Sequence, residues 1–260
     1  VNLLNIIPCW ILGPVVVFGA AASCAALQYL LRRSQSLEVL ARNNEVAGFK
    51  YSVVGVIYGV VAGLVLFQAF AGYSQSKDAL DNEADAFADL WRDAIAFPEP
   101  MRDAIHEDLD VYFDVVVSEE WKAMRSGHSS DKAGRALNQL YATYARYRPD
   151  GSVSPVWEAA SLAQLTRIGD ARRVRLLKCA SSIPRELWVA LVLGGLVNFG
   201  FPFFFGTKSL AAQLAMTASI AGLIALLLFT VLILDNPFSG SEALTPDALI
   251  AVRQRTMNGF

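Results

Sequence analysis

Two histidines, three cysteines and no phosphate-binding loop leave this sequence little catalytic chemistry. His106, with Glu107 and Asp110 on the same stretch, is the one set that could approach a metal, but the ligands are sparse and mixed charge around them reads as a solvated helix face. Cys9, Cys24 and Cys179 show no metal-type spacing, and an odd count argues against a disulfide framework. No G-x-x-x-x-G-K-[ST], no H-E-x-x-H and no Ser/His/Asp arrangement occurs. The sequence therefore predicts no enzyme, no cofactor and no metal. A formal net charge of −2 gives no reason to expect a nucleic-acid partner.

What remains are polar groups in apolar surroundings. Tyr51, Val54, Tyr58, Val61, Val65 and Gln68 fall on one helical face, and three of them can hydrogen-bond. Asn198 stands amid Gly194, Gly195, Gly200 and Pro202. A polar group in hydrocarbon needs a partner or water. This face is thus a candidate pore lining, with the valines as an apolar constriction, or else its polar members bond to neighbouring helices. On the first reading Tyr58→Ala alters conductance without abolishing assembly. Gly55, Gly59 and Gly63, spaced four apart, form a smooth stripe suited to close helix packing within or between subunits.

The elements that position these groups are four apolar runs: Trp10–Leu31, Phe49–Phe70, Leu187–Phe205 and Ala211–Leu234. About 20 apolar residues at 1.5 Å each cross a bilayer's hydrocarbon. With 54% hydrophobic residues and a mean hydropathy of +0.39, the chain reads as an integral membrane protein. The chain opens with Val1, as a direct reading of a GTG start codon would give, and the first run is expected to be a retained span rather than a cleaved signal. The fold class expected is all-α: four transmembrane helices with a helical extramembrane domain inserted between spans two and three. The divisions are 1–73, a first helix pair; 74–186, the helical insert; 187–234, a second pair; and 235–260, a polar tail.

Within the insert, helical spacing links Leu80, Ala84, Phe87, Leu90, Trp91 and Ile95. The second span is expected to continue into this helix, since no proline falls between Phe70 and Leu90. Pro98 and Pro100 interrupt it. Further helices are predicted over Met101–Trp121, Asp131–Tyr147 and Ser154–Ser181, with a turn at Arg148–Ser152. Asp108, Asp110, Glu119 and Glu120 read as solvated. The basic run Arg172, Arg173, Arg175, Lys178 and Arg185 reads as juxtamembrane attraction for anionic lipid, or as a gatherer of anions. Pro14 and Pro202 are candidate kinks. Pro237 and Gly240 stop the fourth span, with Phe238 as an interfacial anchor, and Thr245 is expected to cap a short helix. Most basic residues near the membrane lie on the side of the insert and both termini, which favours a cytosolic insert, although Arg32 and Arg33 pull the other way.

Several stretches carry a family likeness: Asn44–Gly63, Asn82–Ala94, the Glu120-Trp121 pair, Ile183–Leu191 and Leu234–Gly240, the last including Asn236, Pro237, Phe238, Ser239 and Gly240. Together they make the chain resemble the bacterial bestrophin-like membrane proteins, over nearly its whole length. The resemblance implies kinship with bestrophins, which are pentameric anion channels with four spans per subunit, a cytosolic helical domain and a pore lined mainly by the second span. It thus implies a homo-oligomer, a pentamer by that pattern, in the bacterial inner membrane, with the lipid bilayer and small inorganic anions as partners. The chain departs from the bestrophin pattern in lacking both apolar neck residues after a proline in the second span and an acidic calcium cluster. The alternative is a non-conducting scaffold or accessory subunit whose helical insert binds a partner protein.

Overall fold

The computed structural model describes residues 3–42, 44–148, 151, 153–180 and 183–257. Every regular element among them is helical. Four helices are long and apolar enough to cross a membrane. The expected turn at Arg148–Ser152 includes residues outside the described set, so its conformation is not assigned.

The chain divides into two compact units. One comprises Ile6–Gly72 and Ile183–Asp235. In it, α1 (Cys9–Ser34), the short α2 (Leu37–Ala41), the first part of α3 (Asn44–Asp93), α8 (Arg185–Gly200) and α9 (Leu210–Leu234) pack as a bundle. α1 lies along α9. Gly13 makes room for the Phe229 ring, which a β-carbon there would approach to 2.8 Å. Pro14 sits inside α1 without ending it. Pro202 does not kink the third span as expected: the α-helix stops at Gly200, and Pro202 opens a 3-10 turn, Phe201–Phe204, where its missing N–H costs nothing.

The turn joining α8 to α9 is fastened by three side chains from three helices. Asn44 donates to the Gly206 carbonyl at 2.7 Å and accepts from the Gly206 N–H at 3.1 Å. Gln213 donates to the Phe205 carbonyl at 2.6 Å, and Arg32 to that of Thr207 at 2.9 Å. Backbone groups left over where the chain reverses need partners, and two side-chain amides and a guanidinium supply them.

The second unit holds the described residues of Val1–Asn5, Tyr73–Ser182 and Asn236–Phe260. The C-terminal tail therefore belongs with the insert rather than standing apart. α3 is one helix of 50 residues, so the second span does continue into the insert. It ends at Asp93, and Pro98 caps α4 (Glu99–Val115), as the prolines predict. A π-helical segment, Val116–Glu120, and the short α5 (Trp121–Met124) prolong that helix; the Trp121 N–H reaches back five residues to the Val116 carbonyl. α6 (Asp131–Arg146), α7 (Pro155–Ala180) and α10 (Asp247–Met257) complete the unit. Its core takes Leu80, Phe87 and Leu90 from α3, Ile105, Leu109 and Phe113 from α4, Leu140 from α6 and Ile168 from α7. Ile95, expected on that face, is exposed. Among the described residues Thr245 accepts no backbone N–H; its hydroxyl donates to the Asp247 carboxylate at 2.6 Å.

At the centre of this unit Arg175 is fully buried, which corrects its reading as a lipid-facing cation. Its Nε donates to Glu83 Oε2 at 2.7 Å and its Nη2 to Glu83 Oε1 at 2.9 Å, a bidentate pair. Nη2 also reaches Glu120 Oε2 at 3.0 Å. Tyr112 donates its hydroxyl to Glu83 Oε1 at 2.6 Å, and Arg172 Nη2 donates to Glu120 Oε1 at 2.5 Å. The guanidinium lies over the Trp121 ring, 5.0 Å from its centroid. Glu120, expected in solvent, is fully buried. Two carboxylates and two guanidiniums cancel. Burial works against the Arg175 charge, but Glu83, then Tyr112 and Glu120, hold its pKa above the ordinary value. Burial and the Glu83 charge together push the Tyr112 phenol well up.

Removing one partner of such a set leaves charge stranded in the core. We expect Arg175→Met to destabilise the protein by ~3–5 kcal/mol, the usual cost of breaking a buried pair. A thermal melt of the detergent-solubilised variant checks this, and an unchanged melting temperature would refute it.

Candidate functional site

The membrane part of α3 exposes and hides its side chains on opposite faces. The inward face carries Ala62, Val65 and Ala69, buried against Leu191 of α8 and Val231 of α9. Tyr58 lies on this side. Its ring rests on Gly194, where a β-carbon would come within 2.6 Å of it. Its hydroxyl is buried with no hydrogen-bond partner among the described residues. Val54 and Val61 are half-buried. Tyr51, also half-buried, stacks on Phe201 with centroids 5.5 Å apart and meets Phe205 edge-on at 6.0 Å. Asn198 is buried and donates back to the Gly194 carbonyl at 2.8 Å, so its amide is spent inside its own helix.

Of the seven residues offered as a pore lining, only Gln68 stands on the exposed face. The 3.6-residue period groups Gln68 loosely with the tyrosines, but it cannot tell which side of a wholly apolar helix its own subunit covers. Tyr58 and Val65 therefore pack within the subunit: Gly194 and Gly195 of α8 make room for the Tyr58 ring, and Val65 lies in the cluster with Leu191 and Val231.

The outward face carries Val53, Val56, Ile57, Val60, Leu64, Phe67 and Phe70, all exposed. Gly59 and Gly63 belong to it, and nothing lies within 4 Å of where their β-carbons would stand. Gly55 sits at the border, 3.9 Å from Asn198 Oδ1 on the same measure. The smooth stripe is thus uncovered by its own subunit over its last two glycines.

The two motifs at the ends of the second helix pair meet in one place. Asp235, the residue after α9, accepts the Ile183 N–H on Oδ1 at 2.7 Å and the Trp188 indole N–H on Oδ2 at 3.0 Å. One carboxylate thereby ties the start of α8 to the end of α9. Burial raises the Asp235 pKa, opposed by these two hydrogen bonds.

The rest of that motif serves the other unit. Phe238 is no interfacial anchor: it is 2% exposed and meets Trp121 edge-on at 6.1 Å. Pro237 accepts from the Leu244 N–H at 2.8 Å, and the Trp121 indole donates to the Leu244 carbonyl at 3.0 Å. Ser239 donates to the Arg125 carbonyl, and the Asn236 carbonyl accepts the Ser239 N–H. Gly240 has φ +94°, a left-handed conformation that favours glycine, and its N–H donates to Asn5. The Glu120-Trp121 pair, Glu83 of the Asn82–Ala94 stretch and Phe238 thus gather round Arg175 and Trp121.

His106 serves packing. It stacks on Trp91 at 4.0 Å, with Nε2 placed 3.1 Å from the Trp91 carbonyl. Among the described residues, no three acidic, histidine or cysteine side chains converge as a metal set would. Arg173 pairs with Asp170 on the surface at 2.8 Å.

Comparison with known proteins identifies a family and a fold. A family described as "Bestrophin-like domain" matches residues 17–249. A bacterial bestrophin homolog from Klebsiella pneumoniae has a similar structure, with a TM-score of 0.70 at 12% identity, covering 91% of this chain and 97% of that one. A single-residue variant of that homolog gives a TM-score of 0.70 at 13% identity, covering 94% and 99%. A structure described only as a membrane protein variant gives 0.71 at 12% identity, covering 93% and 97%. At such identity the likeness is one of fold. No curated protein matches.

Asp235→Asn keeps one acceptor and loses the other. We expect a loss of about 1–3 kcal/mol, the cost of leaving a buried donor unsatisfied. Because the folded-state pKa is raised, the folded chain holds its proton to higher pH than the unfolded chain, and the carboxyl's contribution falls as pH rises through that window. The gap in melting temperature between wild type and Asp235→Asn should narrow as pH rises from the ordinary aspartate range, about 4, through the raised folded-state value. A gap that widens would contradict the assignment.

Proposed function

The chain belongs to the bestrophin-like family, and on that premise we propose that it assembles as a homo-oligomeric ion channel for small inorganic anions, a pentamer by the pattern the resemblance implies. The observation that carries this reading is the uncovered face of α3. A lone four-helix bundle has little room for water, whereas copies around an axis enclose a lumen between them. The outward face supplies both surfaces that such a ring needs. Gly59 and Gly63 give a smooth strip for the backbone of a second copy. Val56, Val60 and Phe67, all exposed, line the axis as an apolar constriction, with Gln68 beyond them as the polar member.

The lining is uncharged, so it does not choose the sign of the ion by itself. No acidic side chain lies in the interior of any of the four spans to repel an anion. The basic excess beside the membrane on the side of the helical insert supports a cytosolic position for that insert in the inner membrane of a bacterium.

The test is purification in mild detergent, subunit counting by native mass, and chloride efflux from loaded liposomes against potassium efflux as control. A ring of subunits and faster chloride efflux are expected. Val60→Asp places a carboxylate in every copy at the lining and should lower chloride flux about tenfold or more, equivalent to ~1.4 kcal/mol at the barrier, with the subunit count unchanged. Unaltered flux through an assembled Val60→Asp ring would remove this face from the lining. A monomer that copurifies with another protein would support the scaffold reading instead.

A further inference from the structure

From Val53 to Phe70 the exposed face of α3 carries no charge, so the sign of a passing ion is left to groups at the ends of that face. Between Glu45 and Lys77 the helix holds one charged residue, Lys50. It is exposed, in the second turn of α3. Among the described residues no carboxylate pairs with it. Glu45 is five residues away, about 140° round the axis, where the two side chains do not face each other.

The register of Lys50 is that of Gln68. The two are 18 residues apart, five turns at about 3.6 residues each, so they point the same way about 27 Å from each other along the axis. That length is close to the hydrocarbon thickness of a bilayer, about 30 Å. Ile57 and Leu64 lie near the same line, apolar and exposed. Gly59 stands half a turn round the helix, so a second copy seated on the glycines leaves Lys50 uncovered. The surroundings are basic as well. Leu40 and Ala41 lie against Gly206, where a β-carbon would come within 2.7 Å of Leu40, so the two inter-helix connections meet at this end. They expose Arg33, Arg42 and Lys208 against Glu38 and Glu45.

We infer that Lys50 sets the sign of the conducted ion. Repeated in every copy, it forms a cationic ring at the mouth where α3 begins and raises the local concentration of small inorganic anions there. Its four-carbon stem lets the ammonium reach the water of the mouth while the chain lies along Phe49 and Val53, both exposed. The inference rests on the reading of the exposed α3 face as the lining of a ring, and adds to it the one group on that line able to tell chloride from potassium. Such a field is long-ranged in dilute salt, about 30 Å at 0.01 M, and short, about 3 Å, at 1 M.

The test is the reversal potential across planar phosphatidylcholine bilayers holding the full-length protein, under a KCl gradient. Lys50→Gln should lower the chloride-to-potassium permeability ratio about fivefold or more in dilute salt, Lys50→Glu should lower it further, and Lys50→Arg should keep it. In about 1 M salt the differences should shrink. The position is exposed, so the variants are expected to fold, and native mass checks their subunit count. Lys50→Cys offers a second measurement: a negatively charged methanethiosulfonate should lower the ratio and a positively charged one restore it, with wild type as the control for its own cysteines. An unchanged ratio in an assembled, conducting Lys50→Glu would overturn the inference. An effect that appears only when phosphatidylglycerol is added would do the same, giving the lysine to lipid headgroups. A wild type that forms rings yet passes no ion would remove the channel reading itself, and the role of Lys50 with it.

Discussion

A guanidinium with no surface of its own must find its countercharge inside the protein, and Arg175 finds two. Glu83 comes from α3, Glu120 from the π-helical segment after α4, and the arginine itself from α7. These residues lie 92 and 55 positions apart in the chain. Each alone would be costly to bury; together, with Arg172 and the Tyr112 hydroxyl, they leave no net charge. The geometry is directional, because a planar bidentate fork accepts only one arrangement of its carboxylate. A core of leucines and phenylalanines tolerates sliding. A core with this pair at its centre has one register, so the helices of the second unit are fixed relative to each other by electrostatics as well as by packing.

The architecture was legible in the sequence wherever length and proline placement carried it. Four apolar runs became four helices, the proline-free stretch after Phe70 became a continuous α3, and Pro98 ended it. What the sequence concealed were the partners. Arg175 sits among other basic residues, and Glu120 beside another glutamate, so local composition made both look solvated. Nothing local distinguishes Arg175 from its exposed neighbour Arg173. The signal that existed was the resemblance itself, since two of the quoted stretches hold Glu83 and Glu120. Phe238 was misplaced for the same reason: next to a span it looks interfacial, yet the chain turns at Pro237 and Gly240 and delivers the ring to Trp121.

The faces of α3 illustrate a different limit. In a water-soluble helix the polar side marks the outside. In a span nearly every residue is apolar, so periodicity groups residues without orienting the group. Tyr58 and Gln68 share a rough stripe, but one rests on Gly194 and the other is open. The orienting information lay on another helix: Gly194 and Gly195 of α8 make the hollow that draws Tyr58 inward.

The five π-helical residues at Val116–Glu120 amount to an α-helix with one residue too many. Each residue of an α-helix advances the side chains by about 100°, so everything after the bulge is rotated by that angle from where an unbroken helix would put it. Glu120 and Trp121 owe their aim at Arg175 to this surplus. Loss of one codon from residues 116–119 would remove the surplus, restore a regular helix with better backbone hydrogen bonds, and leave the carboxylate and the indole aimed at the arginine. Straightening the bulge with every residue kept would instead turn both away by about 100°.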